Sequence, residues 1–552
     1  TYCNPLNLDY TYPFHNSHLG KSYRSGADPA VVEFRGEYYM FVTRSWGYWH
    51  SKDLLNWDFI TPEKWYFEGC NAPAAHNYKD SILYVCGNPS GAMSILYTDN
   101  PKRGDWKAVP SVLHDLQDPA LFIDDDERAY MYWGSSNRWP IRGKELDMKN
   151  KFLPIAKKPD SLLFLRPDIH GWERFGENHT SDIKPFIEGA WMTKHNGKYY
   201  LQYAAPGTQF NVYGDGVYVG KSPLGPFQYA AHNPFCYKPG GFATGAGHGS
   251  TVCGPGGIYW HFGTIHLSIN YKFERRLCMF PTFFDEDGVM YSDTYFGDYP
   301  HYSPDQVSRQ TTSGGFRGWM LLSYGKPVKA SSQLESYPVE NVTDENLKTF
   351  WVAGKNDDKQ WVEIDLEEVS DVYALQLNFF DYEETGFWGR MPNLRQRYLV
   401  EASVDGARWR VLVDYRNSFR DAPHNYIELD QPIEARYIRY RHHYVPGKNL
   451  AMGNIRVFGL GRGKKPATVK GFTVVREADE RNVRISWKAV KGAQGYNVLW
   501  GVAPDKLYSS WMVYGDNSLD LRALTVGQKY YFAIEAFNEN GISQRVFLRE
   551  AH

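Results

Sequence analysis

The sequence predicts an all-β protein, a five-bladed β-propeller followed by two β-sandwiches. Two observations carry this. The first is composition: aromatic residues make up 16% of the chain, with 41 Tyr and 18 Trp beside 50 Gly and 31 Pro. Aromatics suit pleated, half-buried surfaces, and Gly and Pro punctuate turns. The second is a long-period repeat. An alternating aromatic strand, a tight turn and a second such strand recur at 30–42, 74–85, 120–133, 191–203 and 250–262. In the fourth copy Asn196-Gly197 is a two-residue hairpin turn. Five β units at a spacing of roughly 45–70 residues indicate propeller blades. No long amphipathic helix pattern interrupts them.

At 552 residues the chain is too long for one core. The repeat stops near Asp305, giving a first unit of 1–307, and the polar stretch 308–315 reads as a linker. A second unit, 316–461, carries alternating segments at 361–366, 398–404 and 436–440. Residues 461–466, Gly-Arg-Gly-Lys-Lys-Pro, form a second linker. The last unit, 467–552, has short strands at 483–487, 495–500 and 530–537, the pattern of a small β-sandwich.

Lys and Arg number 61 against 63 Asp and Glu, a net charge of −2. That balance gives no electrostatic case for nucleic acid or an anionic membrane. No apolar run approaches the roughly 18–20 residues that span a bilayer. Six Cys, at 3, 70, 86, 236, 253 and 278, show neither CxxC nor zinc-ligand spacing. The chain opens at Thr1 without Met, as a mature chain would, and we expect a secreted or periplasmic monomer.

Three acidic residues stand at matched places in the repeat. Asp28 (Ser-Gly-Ala-Asp-Pro-Ala) precedes the first hairpin, Asp118 (Leu-Gln-Asp-Pro-Ala) the third and Glu188 (Phe-Ile-Glu-Gly-Ala-Trp) the fourth. Equivalent positions of successive blades point at one central channel, so the three carboxylates should converge. A lone Asp-Pro is a turn dipeptide; three at one repeat position suit glycoside cleavage. An inverting enzyme needs one carboxylic acid at the leaving oxygen and one carboxylate to activate water on the opposite face. A third carboxylate nearby raises the pKa of the acid.

On these motifs the first unit resembles glycoside hydrolase family 43, whose five-bladed propellers carry an early Asp-Pro, a second Asp-Pro and a Glu-Gly-Pro-Trp in this order. Ala190 stands where the family often has Pro. The resemblance implies Asp28 as general base, Asp118 as pKa modulator and Glu188 as general acid. The segment 245–250 (Gly-Ala-Gly-His-Gly-Ser) is similar to the family's Gly-x-Gly-His. It implies His248 near the channel centre, holding a water or a metal ion such as Ca²⁺. Arg275-Arg276 resembles a family arginine that contacts substrate or a catalytic carboxylate, and Arg276 is preferred. The family's Trp-Ala-Pro in blade two is here Asn71-Ala-Pro, followed by His76, so Asn71 and His76 become substrate-binding candidates. Trp46, Trp133 and Trp191 are candidates to line the sugar pocket or to serve as blade core.

The second unit resembles a discoidin-like β-sandwich, a fold often used to bind carbohydrate, through 325–332, 341–346, 349–351, 362–366, 401–406 and 435–439. Many such domains hold a structural Ca²⁺ at the turn occupied here by Asp344 and Asn346, with help from a Glu that is absent from the segment 452–456, Met-Gly-Asn-Ile-Arg. The third unit resembles a fibronectin type III sandwich, with Trp487, Tyr496 and Tyr530 as core anchors and a spacer role. No redox or nucleotide cofactor is implied. The expected function is an inverting glycosidase acting on polysaccharide side chains or oligosaccharides. α-L-Arabinofuranosidase comes first, and β-xylosidase or a galactose- or galactofuranose-releasing enzyme is the alternative. The rivals are a non-catalytic propeller lectin and a polysaccharide lyase; a lyase should show a basic cluster for a uronate, and the sequence has none.

Overall fold

The computed structural model describes residues 1–16, 20–88, 92–114, 116–307 and 315–549. The linker expected at 308–315 lies, except for Gly315, outside the described residues. Helix is limited to five short 3-10 turns among the described residues.

The first unit is a propeller of five antiparallel sheets. Blade 1 runs Ala30–Phe34, Glu37–Phe41, Tyr48–Ser51 and Trp57–Ile60 from centre to rim. Blades 2 to 5 begin with inner strands Asn71–Tyr78, Ala120–Ile123, Glu188–His195 and Gly247–Cys253. Each inner strand neighbours the next, and the fifth returns to the first, which closes the ring. Blades stack face to face, so their strands are buried on both sides and read as apolar runs: Ala120–Ile123 and Ala129–Trp133 are buried throughout. The hairpin at Asn196-Gly197 has positive φ at both residues (48° and 73°), as a two-residue turn of its hand demands. The N-terminal segment lies along blade 5, where Leu6 N donates to Leu277 O and Asn4 Nδ2 to Met279 O.

The second unit is one strongly bent eight-stranded sheet. Two very long strands, Trp361–Phe379 and His424–Tyr444, pair with each other and break register at Asp365/Ser370 and Val372/Ala374. Such bulges bend a strand and sharpen its twist. One half of Trp361–Phe379 therefore pairs with Val328–Ala330 and the other with Ala451–Leu460, forming two layers around Trp351, Val362, Leu375 and Ile438. The third unit packs a three-stranded sheet on a five-stranded one. Trp487, Tyr496 and Tyr530 are buried between them, as expected of core anchors.

All three units meet in one apolar cluster: Phe296 and Tyr299 of the propeller, Trp319 and Phe458 of the second unit, Met512 and Phe537 of the third. Beside it Arg456 is fully buried and bidentate to Glu345, and it donates to the Asp298 carbonyl. The propeller is thus held rigidly against a second unit whose loops reach its active face.

Candidate active site

The five inner strands enter the channel through one repeated local structure. Asp28, Ala72, Asp118, Gly189 and His248 occupy equivalent places, one per blade, and Glu188 stands one residue earlier, level with Asn71 of blade 2 and Gly247 of blade 5. Asp28, Ala72, Asp118 and His248 all have positive φ, between 43° and 56°, and in blade 4 Gly189 takes φ 66° instead. Non-glycine residues seldom adopt that conformation, and clusters of them mark functional sites. The kink turns each side chain out of the sheet toward the axis. Three carboxylates and one imidazole face one another, Glu188 from the residue before the kink.

His248 is central. Its Nδ1 lies 3.3 Å from Asp28 Oδ1 and 3.8 Å from Asp118 Oδ2. A Cβ on Gly189 would come within 2.9 Å of the His248 ring, so glycine is required there for close approach as well as for φ. Asp215, buried in the third strand of blade 4, accepts the amides of His248 and Gly249 at 2.8 and 2.9 Å and fixes the backbone beneath the ring. Burial opposes the imidazolium, but Asp28, Asp118 and Glu188 outweigh it, and the His248 pKa is raised.

Each carboxylate has a different environment. Asp28 accepts Thr43 Oγ1 at 2.6 Å and has Arg275 Nη1 at 3.5 Å from Oδ1. Burial pushes its pKa up, but Arg275, His248 and Thr43 more than offset that and hold it below the usual carboxylate range. Asp118 is pushed up to about 7 by burial, with Glu188 and Asp28 adding to it against His248 and Ser135. Glu188 accepts the Tyr213 hydroxyl at 2.6 Å on Oε1 and the Ser135 hydroxyl at 3.0 Å on Oε2. The arrangement holds one carboxylate ionised and keeps a proton within the cluster near neutral pH.

The structure brings Asp28, Asp118, Glu188 and His248 together and moves several other candidates elsewhere. Arg276 does not face the carboxylates. Its Nε donates to His424 of the second unit at 2.7 Å, its Nη1 to the carbonyls of Arg24 and Arg275, and it lies over the Tyr10 ring. Successive residues of a strand point to opposite faces, so Arg275 is the one beside Asp28. His76 is turned into the junction with blade 3, where Nε2 accepts the Ile123 amide at 3.3 Å and burial lowers its pKa to about 4. Trp133 is buried in the core that blade 3 shares with its neighbours. Asn71 opens the inner strand of blade 2, one residue before the ring position. Trp191, three residues beyond Glu188, packs against the core of blades 1 and 2. Those blades do not adjoin blade 4, so its ring spans the channel. Trp46 lies on the loop after Thr43 and meets Trp388 of the second unit edge-to-face.

Thr43, Ser135, Tyr213, Asp215 and Arg275 escaped the sequence reading. Their one shared signal is position: each comes from the loop after the second strand of its blade or from the third strand.

The residues at the Asp344 turn do not fit the expected cation. Among the described residues no three His, Cys, Asp or Glu side chains form a group able to hold a metal ion. At Asp344 the side-chain amide of Asn454 fills the turn. Its Nδ2 donates to Asn341 O, Asp344 Oδ1 and Asn346 O at 3.0, 2.9 and 3.3 Å, and its Oδ1 accepts the Glu345 amide. Thr349 donates to Asp344 Oδ2 at 2.6 Å. A hydrogen-bond donor sits where a cation would have to.

The fold and the ring define a propeller with a carboxylate-lined axial site. Residues 23–290 match the model of glycosyl hydrolases family 43, and 327–452 match the F5/8 type C domain. The chain therefore carries a family 43 glycosyl hydrolase domain joined to a discoidin-like F5/8 type C domain. A β-xylosidase of Xylanibacter ruminicola is 33% identical over 133 residues, 20% of this chain and 39% of that one. An arabinoxylan arabinofuranohydrolase of Bacillus subtilis is 30% identical over 189 residues, 30% of this chain and 34% of that one. A β-D-galactofuranosidase of Aspergillus niger is 25% identical over 301 residues, 48% of this chain and 80% of that one. The chain spans less than two fifths of the length of the first two relatives.

Proposed function

We propose that the protein is an inverting glycoside hydrolase releasing a terminal sugar from polysaccharide side chains or oligosaccharides, with α-L-arabinofuranosides as the first substrate class. The observation that carries this reading is the difference between two carboxylates that lie 3.3 and 3.8 Å from one histidine. Asp28 is held ionised by Arg275, His248 and Thr43, as a base must be, while burial and the neighbouring carboxylates raise the pKa of Asp118. In the reaction Asp28 takes a proton from water as the water oxygen bonds to the anomeric carbon. Glu188 gives its proton to the leaving oxygen as the glycosidic bond breaks, and the configuration inverts. Asp118 and His248 position the two and set their charge. Relatives named for β-xylosides, arabinofuranosides and galactofuranosides support the class and leave the glycone to experiment. We read the third unit as a fibronectin type III-like spacer and the protein as a secreted or periplasmic monomer.

The test is turnover of 4-nitrophenyl α-L-arabinofuranoside, β-D-xyloside, β-D-galactoside and β-D-galactofuranoside, alongside oligosaccharides, by wild type and Glu188→Gln. Loss of the general acid should lower kcat on oligosaccharides by about 10²–10⁴. Proton NMR of the first-formed sugar should show the anomer opposite to the substrate. Undiminished Glu188→Gln turnover, or a retained anomer, overturns the reading.

A further inference from the structure

A cavity of about 1080 Å³ lies between blade 1 and the second unit, and it contains none of the four axial side chains. Its propeller wall holds Trp46, Phe59 and Tyr66; its opposite wall holds Trp388, Arg395 and Phe419. Trp388 is 52% exposed, Phe419 78% and Tyr66 50%. Aromatic rings left bare on both sides of one cleft are costly to solvate, and large apolar exposure of this kind marks binding surfaces. The cleft is also polar. Trp46 Nε1, Asn7 Oδ1 and Arg395 Nε are buried polar atoms with no hydrogen-bond partner among the described residues. Asn56, Asp58, Asn393 and Arg420 line the same cleft and offer donors and acceptors to a ligand rich in hydroxyls. Three arginines (390, 395, 420) and three aspartates (9, 58, 421) line the cavity, and Arg390 pairs with Asp9 while Asp421 pairs with Arg24. A charge-balanced lining gives no preference for a uronate or a sulfate ester.

The cavity joins the axial site through the chain. The loop after the second strand of blade 1 carries Thr43, which donates to Asp28, and three residues later Trp46, which enters the cavity. Trp46 is pinned there with positive φ, and a Cβ on Gly389 of the second unit would lie 2.7 Å from its ring. The two units bridge at this point, Tyr12 and Gly389 exchanging backbone hydrogen bonds.

We propose that this interdomain cavity is a binding site for a neutral polysaccharide chain, the part of the substrate that continues beyond the sugar held at the axis. The F5/8 type C domain then supplies one wall of the substrate cleft through its loops at 386–395 and 419–421. Sugar C–H faces stack on Trp46, Trp388 and Phe419, and hydroxyls meet the polar atoms between them. The inference rests on the glycosidase reading for the identity of the ligand, and its test is independent of turnover.

Wild type, Glu188→Gln, Trp388→Ala and Phe419→Ala are run in native gels containing soluble arabinoxylan, arabinogalactan or debranched arabinan, with dextran as reference. Wild type and Glu188→Gln should both be retarded by at least one polymer. Trp388→Ala and Phe419→Ala should lose retardation, their association constants falling by about ten-fold or more, as for aromatic anchors elsewhere. Both rings are exposed, so melting temperatures serve as the check on folding. Retardation unchanged in both variants, or absent from wild type with all three polymers, overturns the proposal. A protein that turns over no glycoside but whose retardation depends on Trp388 refutes the glycosidase reading and leaves this site standing.

Discussion

Replacing Arg275 tests how the base is kept charged. Its Nη1 is 3.5 Å from Asp28 Oδ1, and both side chains are 8% exposed. At an effective dielectric of about 20 that separation is worth about 5 kcal/mol of attraction. One pKa unit corresponds to about 1.4 kcal/mol, so the ceiling on the Arg275 contribution is roughly 3.5 units. Water entering the space left by the guanidinium recovers part of it, and a net rise of about 1–3 units in the Asp28 pKa is expected for Arg275→Met. In the proposed reaction Asp28 acts ionised, so a higher pKa moves the acid limb of kcat/KM to higher pH. The assay is the pH profile of kcat/KM on the best glycoside for wild type, Arg275→Met and Arg275→Lys. Arg275→Met should shift the acid limb upward by at least one unit, and Arg275→Lys, which keeps the charge, should shift it less. An acid limb that stays in place while the plateau falls would refute this reasoning and assign Arg275 to the substrate instead.

Two further outcomes follow from the same electrostatics and from the metal-free turn. Asp118 has a folded pKa raised from 3.8 to about 7, so the unfolded chain releases its proton first and the native state loses stability as pH climbs through that window, with the full penalty above it. Asp118→Asn should therefore raise the melting temperature more at pH 8 than at pH 4 while lowering turnover; an equal change at both pH values contradicts it. Asn454→Ala strips a donor from three partly buried acceptors, at a cost of about 1 kcal/mol, and should lower the melting temperature by a few degrees, whereas EDTA should leave wild type unchanged. A drop in wild-type melting temperature with EDTA would restore the cation to the Asp344 turn.

Much of the architecture is local in origin and could be read from the chain. Strand period, the Asn196-Gly197 turn and the Gly- and Pro-marked ends of the repeats depend on neighbours a few residues apart, so the five hairpins and the two sandwiches were legible. So were Asp28, Asp118 and Glu188, because a repeated fold puts repeated positions at one axis. What depends on register across long loops was not legible. Whether Arg275 or Arg276 meets Asp28 is decided by one step of strand alternation in blade 5, about 250 residues from its partner in sequence. His76 was claimed by the neighbouring blade, since a buried imidazole must find a hydrogen bond and the Ile123 amide offered it. Tyr213 and Asp215 reach the site from the start of the third strand of blade 4, whose sequence carries no motif. Asn454 displaced the expected cation only because two strands of the sandwich bring it back to a turn more than a hundred residues earlier. The interdomain cavity belongs to neither unit: its walls are exposed aromatics in two separate sequences, and only docking through the shared Phe296–Phe458–Phe537 core makes them face each other.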